Sequence, residues 1–105
     1  VSINVGLHPL GSLEILPNRS NTTVYTDCAP ELTGPVKVQA FHTHAHQLGI
    51  AVVTKVLRPL VGVTGPTQDI GHVGNTPNYD FNSQRTEQFA PGSEPELRPG
   101  DTIRV

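Results

Sequence analysis

An antiparallel β-sandwich of jelly-roll type is the fold this sequence predicts, and three features predict it. The 105 residues include ten glycines and ten prolines but no methionine or tryptophan, a composition suited to short strands and tight turns rather than helices. Apolar residues recur at every second position in several short runs, the period of a strand with one buried face. Those runs return at intervals of roughly eight to twelve residues with Gly or Pro between them, as in all-β sandwiches and barrels. A Greek-key barrel is the alternative, and no convincing helix is found. The length suits a single domain over residues 1–105.

Taken in order, Val1, Ile3, Val5 and Leu7 alternate with Ser2, Asn4 and Gly6, which predicts a strand that needs a sheet to join. Leu13-Glu14-Ile15-Leu16 is a second apolar run, closed by Pro17. Next come Asn18-Arg19-Ser20 and Asn21-Thr22-Thr23, two N-glycosylation acceptors in one polar loop, where an exposed glycan belongs. Thr22 to Asp27 is rich in the β-branched and aromatic residues that strands favour. Ala29 to Pro35, with prolines at 30 and 35 and a glycine at 34, is a loop.

Val36 to Ala40 alternates again and leads into Phe41-His42-Thr43-His44-Ala45-His46. Continued strand geometry puts His42, His44 and His46 on the face of Val36, Val38 and Ala40. Alternate strand residues lie roughly 6.5 Å apart, a gap two imidazoles close by leaning toward one ion. Ligand type alone admits copper, zinc, nickel or iron; the other reading is three surface or packed histidines without an ion. Gln47-Leu48-Gly49 reads as a hairpin connection into Ile50 to Leu57, the most apolar run, which Arg58-Pro59 ends.

Leu60 to Asn78 is punctuated by Gly62, Gly65-Pro66, Gly71, Gly74 and Pro77, predicting strand fragments between turns, with Leu60 to Val63 the better strand and His72 a loop histidine. Tyr79 to Glu87 alternates roughly and reads as a strand, and Pro91 to Pro99 as a loop. Pro99-Gly100-Asp101 is a tight turn launching the strand Thr102 to Val105. A strand begun so late suggests a fragment, or a domain completed by something else.

Net charge is −2 with scattered Lys and Arg, so no basic stripe is present to hold phosphates, and no nucleic-acid partner is expected. There is no apolar run of membrane-spanning length and no signal-peptide pattern at the first residues; the sequons favour an extracellular or secretory location, with any leader already removed. Cys28 is the only cysteine. In an oxidising compartment it implies an absent partner, intermolecular pairing or a free thiol, and otherwise a small buried hydrophobe.

From about Leu13 to Val105 the chain resembles the copper type II, ascorbate-dependent monooxygenases, the family of peptidylglycine α-hydroxylating monooxygenase and dopamine β-hydroxylase. The resemblance is to the C-terminal catalytic domain. It is carried by Ala40-Phe41-His42-Thr43-His44, by Leu48-Gly49 with its apolar strand, by Tyr79-Asp80-Phe81-Asn82-Ser83-Gln84, and by the Pro99-Gly100-Asp101 turn. It implies a jelly-roll-like sandwich, ascorbate as electron donor, and His42 and His44 as ligands of the copper that activates dioxygen for hydroxylation of an aliphatic carbon. It also implies that Cys28 matches a cysteine whose disulfide partner lies beyond residue 105. The chain departs from the family in having no methionine for the third ligand, two extra residues between His44 and Leu48, and no second, three-histidine copper domain.

Three functions are therefore expected in turn. The first is an extracellular glycoprotein module of copper-monooxygenase descent, structural and without complete catalysis, self-associating by strand complementation through residues 1–7. The second is the dioxygen-activating copper domain of an ascorbate-dependent monooxygenase. The third is a metal-binding module that uses His42, His44 and His46 without redox chemistry.

Overall fold

The computed structural model describes residues 2–6, 13–62 and 67–105, and the chain is all-β, with antiparallel pairing throughout. The strands among these residues are β1 (Asp27–Cys28), β2 (Val36–Lys37), β3 (Ala40–His42), β4 (Val52–Pro59), β5 (Thr67–Thr76), β6 (Thr86–Gln88), β7 (Glu96–Leu97) and β8 (Thr102–Arg104). They form a four-stranded sheet in the order β1-β8-β4-β5 and two ribbons, β2-β7 and β3-β6.

The predicted apolar run becomes β4, an interior strand of the four-stranded sheet, whose two edges find partners in β5 and β8. Val56 is paired with Ile103 of β8 and Gly71 of β5, and it forms the core with Val73, Leu97 and Ile103. Val5, Leu32, Val38 and Val105 pack around these four. Leu97 belongs to the β2-β7 ribbon, so the core lies where that ribbon meets the larger sheet.

Strand β5 is ten residues long, where turn-separated fragments were predicted, and His72 lies exposed on it rather than in a loop. Its glycines are used as strand residues. The register slips between Thr54 and Lys55 and again between Val56 and Leu57, leaving Val73 and Ile70 without partners on β4. Bulges of this kind bend a strand and re-aim its side chains, and Gly71, at φ 122°, adopts a backbone conformation open to glycine alone.

A bidentate ion pair fastens β4 to the turn before β8. The Arg58 guanidinium donates to both carboxylate oxygens of Asp101 at 2.8 and 2.7 Å, and the Arg98 backbone N–H donates to Asp101 Oδ2 at 2.8 Å. Asp101 is only 1% exposed, the single buried charged side chain among the described residues.

Several predicted strands take other forms. Residues 2–6 enter no sheet; Val5 alone anchors them, while Val1 and Leu7 lie outside the described residues. Leu13, Ile15 and Leu16 are half exposed and belong to no strand. The strand expected over 22–27 begins only at Asp27, though Thr26 and Val105 exchange two backbone hydrogen bonds beside it. Leu60 to Gly62 turn into solvent, and Val63 lies outside the described residues. Gln47 and Leu48 do form a turn, but no hairpin: β3 pairs with β6, and β4 pairs with β5 and β8. Tyr79 to Arg85 is looped, with strand only from Thr86, and the proline-rich stretch holds the two-residue β7.

Candidate metal site

The histidine segment is held at its start by β6, with Ala40, Phe41 and His42 opposite Gln88, Glu87 and Thr86. Phe41 packs inward against Phe89, ring centroids 5.7 Å apart, and against Gly74, where a Cβ would meet its ring at 3.0 Å. Phe41, Thr43 and Ala45 are half-buried and His42, His44 and His46 exposed, so the imidazoles alternate to the outward side, although the expected strand ends at His42 and residues 43–46 are not in one. That side is not the one predicted from Val38. Val38 packs on the core and Phe41 also turns inward, so the inward parity changes where the chain leaves β2, paired with β7, for β3, paired with β6.

The neighbouring pair is His44 and His46, their centroids 5.3 Å apart and their planes at 81°. Two imidazoles sharing one ion, with metal–nitrogen bonds of about 2 Å and a roughly tetrahedral angle, have centroids about 5 Å apart, so this spacing fits co-ligation. His42 instead meets Thr86, Nδ1 to Oγ1 at 3.3 Å. Among the described residues no three His, Cys, Asp or Glu side chains converge so as to hold an ion. Among the described residues, an ion at this place would be held by His44 and His46.

Two supports missed by sequence reasoning come from the 79–84 loop. Gln84 Oε1 lies 2.7 Å from His44 Nδ1, and Gln84 Nε2 donates to the Phe81 carbonyl at 3.0 Å. Tyr79, nearly buried, donates its hydroxyl to the Ala45 carbonyl at 2.6 Å and accepts the Ala45 N–H at 2.9 Å. The partners of the Gln84–His44 and Tyr79–Ala45 bonds are more than thirty residues apart in sequence, beyond any local signal. The nearest signal is an Asx turn, in which Asp80 Oδ1 accepts the Asn82 N–H and shapes the loop.

Gly49 closes the segment with a 2.8 Å bond from its N–H to the His46 carbonyl, and a Cβ there would lie 2.8 Å from Ala45 Cβ. An open cavity of about 300 Å³ adjoins the segment, lined by Thr43, Thr76, Tyr79, Gln84, Arg85 and Glu87 among others.

The remaining predicted sites lie elsewhere. Asn18 occupies a turn at φ 60° and is exposed, as is Asn21, so both sequons are open to modification. Cys28 is half-buried on β1 opposite Ile103, a free thiol.

No family model matches this chain, and no curated protein or solved structure is significantly similar to it. The resemblance to the copper type II monooxygenases therefore rests on residues 40–44, 48–49, 79–84 and 99–101 alone.

Proposed function

We propose that this chain is an extracellular β module of copper-monooxygenase descent whose His44 and His46 bind copper, and that its own residues do not make a complete catalyst. One observation carries the reading: two exposed imidazoles 5.3 Å apart, one of them fixed through its far nitrogen. A second nitrogen bonded in this way is what orients metal-ligating histidines in general. The pairing also simplifies the resemblance. His44-Ala45-His46-Gln47-Leu48-Gly49 keeps the family's spacing from second histidine to glycine, and the two extra residues required by a His42–His44 pair disappear.

Copper held by two imidazoles supplies one-electron chemistry toward dioxygen when reduced. The chain's part is to hold the two rings, exclude nothing from the open side, and present the neighbouring cavity. With no methionine among these 105 residues for a third ligand, ascorbate-dependent hydroxylation of an aliphatic carbon is proposed only for a fuller assembly.

The test is titration with Cu(I) and Zn(II), measured by calorimetry and elemental analysis. One ion per chain is expected, lost in His44→Ala and in His46→Ala and retained in His42→Ala. Equal losses in all three variants, or no ion retained by the parent protein, would remove the reading.

A second reading, self-association, has its own support. The chain exposes 7963 Å², against roughly 5,700 Å² for a monomer of its mass. Tyr25, Leu48, Ile50 and Val61 are all more than 60% exposed. Residues 2–6 enter no sheet of their own chain, leaving that backbone free to pair with another copy. Deletion of residues 1–7 should yield monomer or insoluble protein by analytical ultracentrifugation, and an unchanged oligomer would count against strand donation.

A further inference from the structure

The Gln84 side chain does more than contact His44. Its amide has one oxygen and one nitrogen, and the Phe81 carbonyl decides which faces where. Phe81 O can only accept, so it takes the Nε2 end at 3.0 Å and leaves Oε1 toward the imidazole at 2.7 Å. The reversed amide would set two acceptors against each other. Facing an acceptor, His44 Nδ1 must carry the proton, and the lone pair is left on Nε2.

Tyr79 acts on the backbone of the same segment. Its hydroxyl engages both the N–H and the carbonyl of Ala45, the residue between the two histidines, so the peptide units that set their directions are clasped from the half-buried side.

We propose that Gln84 and Tyr79 are positioning residues that preset the histidine pair for metal before any ion arrives. Gln84 locks His44 in the Nδ1–H tautomer with Nε2 as the donor atom, and Tyr79 fixes the backbone so that both rings stay on one side. This rests on the metal-binding reading above for its purpose, but its core is a property of the metal-free protein. No chemistry of a bound ion is needed to observe it.

The test starts with metal-free protein. Long-range nitrogen–proton correlation NMR separates the two imidazole tautomers directly, and His44 should appear as Nδ1–H. In Gln84→Met, which keeps chain length but removes the acceptor, the population should move toward Nε2–H. Gln84→Glu gives up the bond to the Phe81 carbonyl but keeps an acceptor for His44 Nδ1–H, so it should restore that tautomer and separates the effect on the imidazole from the tie to Phe81.

Zn(II) titration follows on the same samples. Loss of an outer-shell partner generally weakens metal binding by about 10–100-fold. That range is expected for Gln84→Met, with Gln84→Glu returning to the parent value or tighter, and Tyr79→Phe weakened without a change of tautomer. Backbone amide spectra establish that each variant is folded, and Gln84→Glu serves as the control that a merely structural role would not rescue.

An Nε2–H His44 in the parent protein overturns the inference, as does Gln84→Met binding Zn(II) as the parent does. A parent that shows Nδ1–H but retains no ion leaves the preset tautomer standing and removes the metal-binding reading instead. The two failures are thus distinct.

Discussion

Replacing Asp101 with asparagine tests the strongest polar fastening in the fold. The carboxylate is 1% exposed and accepts three bonds, two from Arg58 and one from the Arg98 N–H. The amide introduced by Asp101→Asn would keep the shape but could accept through one oxygen only, and its hydrogens would face a cation. Breaking a buried pair from one side typically destabilises by about 3–5 kcal/mol. The Arg58 side chain is 25% exposed and can regain some water, which lowers the expected loss to about 2–3 kcal/mol.

The pH dependence is a sharper signature. Hydrogen bonds from Arg58, reinforced by the Arg98 N–H, hold the Asp101 carboxyl below the ordinary carboxylate range despite the opposing effect of burial. A depressed folded-state value means the folded form binds fewer protons than the unfolded one. The contribution is therefore complete above the unfolded value of about 3.9 and fades as pH falls through the lower folded value. Urea unfolding followed by far-ultraviolet dichroism should show a midpoint about 1–3 M lower for Asp101→Asn at pH 7, given slopes of about 1–2 kcal/mol/M. The gap should be unchanged at pH 5 and narrow steadily below pH 4. A variant as stable as the parent at pH 7, or a gap as wide at the acid end as at neutrality, refutes the account.

Leu97→Ala removes a side chain that is 2% exposed at the junction of ribbon and sheet, and should destabilise by about 3 kcal/mol in thermal or urea unfolding. Gly74→Ala brings a methyl to 3.0 Å from the Phe41 ring, which can shift only by disturbing its contact with Phe89, so a loss of about 1–2 kcal/mol is expected in the same assay. Expression through a secretory pathway should add an endoglycosidase-sensitive mass that is absent from the double variant Asn18→Gln, Asn21→Gln, since both asparagines are exposed in the 17–23 loop.

Where local pattern and burial agree, the sequence is readable. Val52 to Leu57 is apolar and ends in Arg-Pro, and it becomes the central strand β4; the Pro99-Gly100-Asp101 turn launches β8 as its residues require. The exposed side shared by His42, His44 and His46 follows from period-two alternation with Phe41, Thr43 and Ala45. What defeats the pattern is non-local. Ten residues of β5 carry two glycines and two bulges, so their glycines read as turn signals although Val56 and its neighbours hold them in a ladder. The parity change between Val38 and Phe41 arises because β2 and β3 take different partners, a choice made by residues more than forty positions downstream. Alternation in Val1 to Leu7 predicts a strand, but only Val5 finds the core and no strand lies alongside. Gln84 and Tyr79 reach partners on the far side of β4 and β5 in the chain, and neither residue type declares such a role in advance.

The Arg58–Asp101 pair and the histidine pair are fastened through different elements, the first joining β4 to the turn before β8, the second resting on β3, β6 and the 79–84 loop. No residue is shared between the two sets of bonds, so their energies should add to within about 0.5 kcal/mol. The proposed metal binding offers a clean way to read this. An ion that binds only the folded chain stabilises it by about 2.7 kcal/mol at a free concentration one hundred times its dissociation constant. At a fixed Zn(II) concentration, the increment should therefore be the same in Asp101→Asn as in the parent, although the variant starts lower. In Gln84→Met the starting stability should be close to that of the parent, while the metal increment shrinks because affinity has fallen. If Asp101→Asn instead lost the increment, the ion pair would have to support the imidazoles through the four-stranded sheet, and the histidine segment would not be the separately supported surface that its contacts with Tyr79, Gln84 and Phe41 describe.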